Sequence, residues 1–147
     1  MRGQATLAIA RAASIDAEAV GRARGTLTII GTGPGAEDWR TPAASREAAK
    51  ASDAVGYGPY LDLLGAAIAR ARRHEFALGE EEVRARHALT LAAEGRRVVL
   101  VSSGDPGIYA MATLVFELIK REPRFARIAL AVEPGVSAMQ AAAARAG

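Results

Sequence analysis

Val98-Val99-Leu100-Val101-Ser102-Ser103-Gly104-Asp105-Pro106-Gly107 is the stretch on which the fold turns. Its first half is an unbroken apolar, β-branched run with no polar alternation. Such a run suits a strand buried on both faces, the habit of parallel sheets covered by helices. Its second half packs Gly and Pro directly behind the strand, so the chain turns sharply at the strand's carboxyl end.

The same grammar recurs on either side. Upstream, Thr26-Leu-Thr-Ile-Ile30 is a second buried-strand run that ends on Gly31. Thr41-Pro42 then offers a cap and a first-turn proline, and an Ala-rich helix is expected over residues 43–51. A short strand is read at residues 53–57. A helix is read over 60–70, with Leu61, Leu64 and Ile68 on one face, and a weak strand at 73–77. Residues 80–94 read as a helix with acidic residues in its first turn and Gly95 just past its end. Downstream, a helix is expected over 108–120, stopped by Pro123, then a strand at 128–132 and an Ala-rich helix from Ser137 to residue 146. Alternating strands and helices of this kind imply an α/β fold, a mainly parallel sheet flanked by helices.

Bulk properties narrow the class. A chain of 147 residues, half of them hydrophobic and 24% charged, suits one soluble globular domain. That domain is read over residues 25–147, with residues 1–24 as a leader or the tail of an upstream module. The net charge is +3, but the arginines are scattered and make no arm for nucleic acid, so no nucleic-acid partner is expected. With no cysteine, disulfides and thiolate metal sites are excluded. His74 and His87 fall in different elements without metal-ligand spacing, so structural roles are expected for both and no metal site is assigned. Residues 5–10 are too short for a signal peptide, and the longest apolar stretch, 108–119, is broken by Glu117. A membrane span needs about 20 apolar residues, so no membrane partner and a cytoplasmic location are expected.

Chemistry is expected in the loops behind the strands. These are Gly31-Thr-Gly-Pro-Gly35, Gly56-Tyr-Gly-Pro-Tyr60, Ser102-Ser-Gly-Asp-Pro-Gly107 and Glu133-Pro-Gly-Val-Ser137. In an open parallel sheet all such loops share one edge, and ligands bind in the crevice outside it. The first loop fails as a dinucleotide fingerprint, because Ala36 stands where the third glycine belongs, Pro34 removes an amide donor, and the helix begins only at Thr41-Pro42. A P-loop is absent as well. The loops carry Asp105 and Glu133 and no lysine, which suits a cationic or hydroxyl-bearing small molecule better than a triphosphate. S-adenosylmethionine fits that profile, and on residue chemistry alone a nicotinamide cofactor stays open beside it.

Taken together, Gly31-Thr-Gly-Pro-Gly35, Thr41-Pro42, Ser103-Gly-Asp-Pro-Gly-Ile-Tyr109 and Pro134-Gly-Val-Ser-Ala138 resemble the tetrapyrrole methylase family, in order and at family spacing from Thr26 onward. Residues 55–62 and 101–111 are most similar to the subgroup that methylates C(17) of the corrin precursor with ring contraction. The resemblance implies S-adenosylmethionine as cofactor, a tetrapyrrole substrate, and a homodimer of subunits with two α/β domains. This chain is read as matching the first of those domains, with the second starting about where Gly147 ends. Residues 1–24 resemble the end of a preceding fused module.

Roles carried over from the resemblance place Gly33 and Pro34 at the cofactor in the first loop. Ser103, Gly104 and Asp105 would hold its methionine part, and Ile108 and Tyr109 would follow as contacts just beyond. Ser137 and Ala138 would contact it from the last loop. Tyr57 would face the tetrapyrrole, and Tyr57 and Asp105 are the candidates for catalytic roles. Each has a plainer alternative. Asp105 could cap a helix beginning near Gly107, Tyr57 and Tyr60 could be edge aromatics, and Asp53 reads as a turn residue at a strand start rather than a base. Arg70, Arg72 and Arg73 could attract the carboxylates of such a substrate, but read rather as a solvated helix end.

Overall fold

The computed structural model describes residues 24–147. Along the chain run β1 (Thr26–Gly31), a 3-10 turn (Glu37–Trp39), α1 (Pro42–Lys50), β2 (Asp53–Tyr57), α2 (Gly58–Asp62), a second 3-10 turn (Gly65–Ile68), β3 (Arg72–Phe76), α3 (Glu81–Ala93), β4 (Arg97–Ser102), α4 (Met111–Arg121), a third 3-10 turn (Pro123–Phe125), β5 (Ala129–Glu133) and α5 (Ala138–Ala146). The strands form one five-stranded sheet in the order β3-β2-β4-β1-β5. Every pairing is parallel, so all carboxyl ends lie on one edge. The α/β reading therefore holds. The leader assigned to residues 1–24 lies, but for its last residue, outside the described residues.

Strand β4 is the middle of this sheet. Val98, Val99, Leu100 and Val101 are all buried, and alternate side chains serve opposite layers. Val98 and Leu100, with Leu27, Ile29 and Val55, pack under α3 and α4. Val99 and Val101, with Ile30 and Ala54, pack under α1, Leu61, Leu64 and Ile68. The buried positions of α1 are both alanines, and α3 buries Ala85, Ala88 and Ala92, which lets these helices approach the sheet closely. Since β1 hands the chain to one layer and its neighbour β4 hands it to the other, the crevice between them is the switch point of the sheet.

Local signals set most boundaries. Thr41 caps α1, its hydroxyl accepting from the Ala44 amide at 3.2 Å, with Pro42 in the first turn. Gly95 closes α3 at φ +95°, where its amide donates to the Ala92 carbonyl at 2.9 Å.

Two expected helices are shorter than the periodicity implies. The helix over 60–70 breaks into α2 and a 3-10 turn that opens on Gly65 at φ +47°. Leu61, Leu64 and Ile68 still share a buried face. The helix expected from Ile108 begins only at Met111. Tyr109 sits at φ +49° and Ala110 is extended, so residues 107–110 form a turn that displays Ile108 and Tyr109 to solvent. A non-glycine residue held at positive φ costs on the order of 1 kcal/mol, and such strain gathers at functional sites.

A buried polar chain lies at the opposite, amino-terminal edge. Asp53 is fully buried at the start of β2. One carboxylate oxygen meets His74 Nε2 at 2.8 Å, and the other accepts from the Ser52 hydroxyl and pairs with Arg96 Nε, each at 2.8 Å. His74 Nδ1 in turn lies 3.0 Å from His87 Nε2. His74, His87 and Asp53, which the sequence places in separate elements, thus form one hydrogen-bonded relay.

Candidate functional site

Backbone hydrogen bonds stitch the loops at the carboxyl edge together. In the first loop, the Thr32 amide donates to the Ser102 carbonyl at 2.9 Å. Gly33 and Gly104 then exchange a pair of bonds, 3.3 Å from the Gly33 amide and 3.0 Å from the Gly104 amide. The first and third loops thus run as a short antiparallel continuation of the parallel β1–β4 pair.

The third and fourth loops are joined by Asp105. One of its carboxylate oxygens accepts from the Gly107 amide at 2.7 Å, and the other reaches across to the Gly135 amide at 3.0 Å. Asp105 therefore does not cap α4, which starts later and has Ala110 at its cap position with no side-chain bond. The Gly104 carbonyl is wedged between two glycines. A methyl group at Gly31 would sit 2.2 Å from that oxygen, and one at Gly135 only 2.1 Å from it. Only hydrogen at both positions lets three segments of backbone meet here.

Two polar ties complete the frame. The Thr41 hydroxyl donates to the Pro134 carbonyl at 3.3 Å, fixing the fourth loop to the start of α1. Arg40, nearly buried, donates to the Leu63 carbonyl at 2.7 Å, to Ser45 Oγ at 2.9 Å and to Glu37 at 2.7 Å. It binds the end of the first loop to the segment after α2. Neither tie announces itself in the sequence, because each joins residues far apart in the chain through a backbone carbonyl.

Between these loops lies a cavity of about 350 Å³. Of the residues singled out from sequence, Gly33, Pro34, Ser103, Gly104, Asp105, Ile108, Tyr109, Ser137 and Ala138 all line it. Tyr57 does not, and its ring packs edge-on against Tyr60 at 5.2 Å. Tyr60, Leu63, Gly35 and Ala110 are lining residues that sequence reasoning left out. Tyr60 carried the only signal that could have found it, its place at the end of the second loop. Ser137 lines the cavity and also caps α5, its hydroxyl accepting from the Gln140 amide at 3.2 Å while Gln140 Oε1 accepts from the Ser137 amide at 2.9 Å.

The lining is chemically one-sided. It holds no lysine, arginine or histidine, one carboxylate, the hydroxyls of Ser103, Ser137, Tyr60 and Tyr109, and otherwise backbone edges and apolar side chains. A pyrophosphate would find neither a cation nor a helix start behind the first loop, since α1 begins at Pro42. A compact ligand with a positive centre, apolar surface and hydroxyl groups suits this wall. Among the described residues no helix is long and apolar enough to cross a membrane.

Comparison with known proteins points the same way. The sequence profile of the tetrapyrrole (corrin/porphyrin) methylases matches residues 26–147. The chain is 44% identical over 129 residues to a precorrin-3B C(17)-methyltransferase from a Sinorhizobium species, covering 84% of this chain and 48% of that protein. It is 45% identical over 123 residues to the cobalamin biosynthesis protein CobIJ of Mycobacterium tuberculosis, covering 23% of that protein. The crystal structure of the methyltransferase CobJ superposes with a TM-score of 0.79 at 46% identity, over 84% of this chain and 51% of the other. The chain thus spans about half or less of the length of these relatives.

Proposed function

The chain belongs to the tetrapyrrole (corrin/porphyrin) methylases, and from that membership we propose that it forms the S-adenosylmethionine-binding lobe of a cobalamin-pathway methyltransferase. The methyl acceptor on this reading is precorrin-3B or its cobalt-containing form, methylated at C(17) with ring contraction. The observation that carries the reading is the cavity at the β1–β4 switch point, whose lining contains the first-, third- and fourth-loop residues that match the family motifs. A cytoplasmic homodimer, and residues 1–24 as the end of an upstream module, belong to the same proposal.

When bound, S-adenosylmethionine supplies an electrophilic methyl group on sulfur. In-line transfer of that methyl to a ring carbon asks the protein for alignment and exclusion of water more than for an acid or base. The residues on this wall are suited to that task. Gly33 and Gly104 present backbone in a fixed bridge, Asp105 holds two loops at a set distance, and Pro34 stiffens the rim. Tyr109, wholly exposed beside the cavity, supplies an aromatic face toward a macrocycle.

Calorimetry with S-adenosylhomocysteine tests the reading. Micromolar binding by this chain is the expected result. Binding no tighter than millimolar would mean that the wall does not make a competent pocket by itself, and tight NAD(H) binding in its place would overturn the cofactor assignment. Asp105→Ala should weaken S-adenosylhomocysteine at least tenfold, because it removes two hydrogen bonds donated by amides to the carboxylate, each worth about 1.5–3 kcal/mol, and half or less of that loss need reach the ligand. Asp105→Asn keeps one carbonyl acceptor and should fall between the two. Equal affinities across the three proteins would remove Asp105 from the site.

A further inference from the structure

Arg84, on the first turns of α3, is a cation without an adequate partner. It is 3% exposed, and its Nε and Nη1 atoms are buried with no hydrogen-bond acceptor. Its third nitrogen, Nη2, has only Met111 Sδ at 3.4 Å and a Glu81 oxygen at 3.5 Å. That same Glu81 oxygen also accepts from the Gly79 amide at 3.2 Å, so it is a shared and distant counter-charge. A guanidinium in this state is costly to the fold unless something else supplies acceptors.

The surroundings indicate what that something is. Arg84 lines a cavity of about 270 Å³ together with Glu81, Ser102, Ser103, Tyr60, Leu78 and Tyr109, so an incoming carboxylate would compete with Glu81 for the guanidinium. Ser103, Tyr60 and Tyr109 also line the cofactor cavity, so the two spaces meet across the turn at residues 107–110. Leu78 and Tyr109, also lining this cavity, are 62% and 106% exposed, so its outer side faces solvent. The unpartnered donors have the planar fork that carboxylates fit. We propose that Arg84 anchors a peripheral carboxylate of the tetrapyrrole, held in this cavity while the reacting carbon faces the neighbouring cofactor site. The inference rests on the methyltransferase reading above for its choice of ligand. It makes Arg84 a substrate-positioning and specificity residue.

The cofactor also carries a carboxylate, so the test separates the two sources. Uroporphyrin III, which carries carboxylates around a tetrapyrrole ring, is titrated into the wild-type chain, Arg84→Met and Arg84→Lys, following the Soret band, with S-adenosylhomocysteine measured by calorimetry in parallel. Loss of a charge-assisted bidentate pair should weaken the porphyrin about tenfold or more in Arg84→Met, with Arg84→Lys between, and leave S-adenosylhomocysteine within about twofold. Because the unpaired cation is gone, the thermal midpoint of Arg84→Met should hold or rise, which separates lost binding from lost folding. Should that variant fail to fold, the Arg84 Nε–H resonance of the wild type, followed by 15N NMR, should still move on addition of uroporphyrin. Equal porphyrin affinity in all three proteins, a wild type that does not bind it, or an unmoved Nε–H resonance overturns the proposal. Weakened S-adenosylhomocysteine with unchanged porphyrin binding gives Arg84 to the cofactor instead. Failure of the wild type to bind S-adenosylhomocysteine while porphyrin binding depends on Arg84 would sink the cofactor reading and leave this one standing.

Discussion

Gly135→Ala is expected to abolish S-adenosylhomocysteine binding and to lower the thermal midpoint of the chain. The new methyl would lie 2.1 Å from the Gly104 carbonyl oxygen, 3.1 Å from its carbon and 3.2 Å from the Gly31 Cα. All of these are backbone atoms, so no side chain can swing aside. The Gly104 carbonyl cannot retreat freely either, because it accepts from the Gly33 amide and would meet any methyl on Gly31 at 2.2 Å. The third and fourth loops must therefore separate, and the Asp105 bond to the Gly135 amide, now 3.0 Å, goes with the movement. Overpacking of this kind costs about 1–3 kcal/mol of stability. A displacement of about 1 Å in groups that position a ligand can cost on the order of a hundredfold in function. Gly31→Ala should behave alike, since its methyl meets the same carbonyl. Calorimetry reads the binding loss and circular dichroism the midpoint. A Gly135→Ala protein that binds about as tightly as the wild type would mean that the three-glycine contact is not what shapes the pocket.

That these loops share one edge of the sheet was legible because it depends on strand direction alone. Four apolar or β-branched runs, each followed by Gly or Pro, with helices between, leave little choice but a parallel sheet with its loops on one edge. What joins the loops was not legible. The Gly33–Gly104 bridge, the reach of Asp105 to Gly135 and the grip of Arg40 on Leu63 link residues up to dozens of positions apart through backbone atoms, and backbone atoms are the same in every sequence. Periodicity also overran two helices. Residues 108–110 and 65–68 keep a helical spacing of apolar side chains, yet positive φ at Tyr109 and Gly65 interrupts the hydrogen-bond ladder there. Arg84 was hidden for a related reason. It sits amid Glu and Arg residues that look like a solvated helix face, and only the packing of α4 against α3 puts it inside.

Asp53 should matter most for stability while leaving the binding chemistry alone. Its carboxylate is buried and receives His74, Ser52 and Arg96, so Asp53→Ala strands three polar groups at once. Removing one member of such a buried set costs several kcal/mol. Because Arg96 is partly exposed and can turn to water, about 3 kcal/mol is the expected loss here. The same group makes the fold sensitive to acid. Burial is the largest influence on Asp53 and works to raise its pKa, but the bonds from His74 and Ser52 and the charge of Arg96 together outweigh it and hold it below the usual carboxylate range. His87 is also pushed below its ordinary value, first by burial and then by repulsion from His74. Both groups therefore bind protons more readily in the unfolded chain, so stability is lost as pH falls. The loss should begin below about pH 6.5, where an unfolded histidine takes a proton that folded His87 resists, and steepen below about pH 4 as Asp53 comes into play. His87→Phe, which keeps a ring against Phe76, should remove the first step and leave the second. Denaturant midpoints measured from about pH 7.5 down to about pH 3.5 span both steps. A wild-type curve that stays flat down to about pH 4, or an unchanged first step in His87→Phe, would show that the relay does not set the acid limit of the fold. S-adenosylhomocysteine affinity near neutral pH should be the same in His87→Phe as in the wild type, because the relay lies at the edge of the sheet opposite the loops.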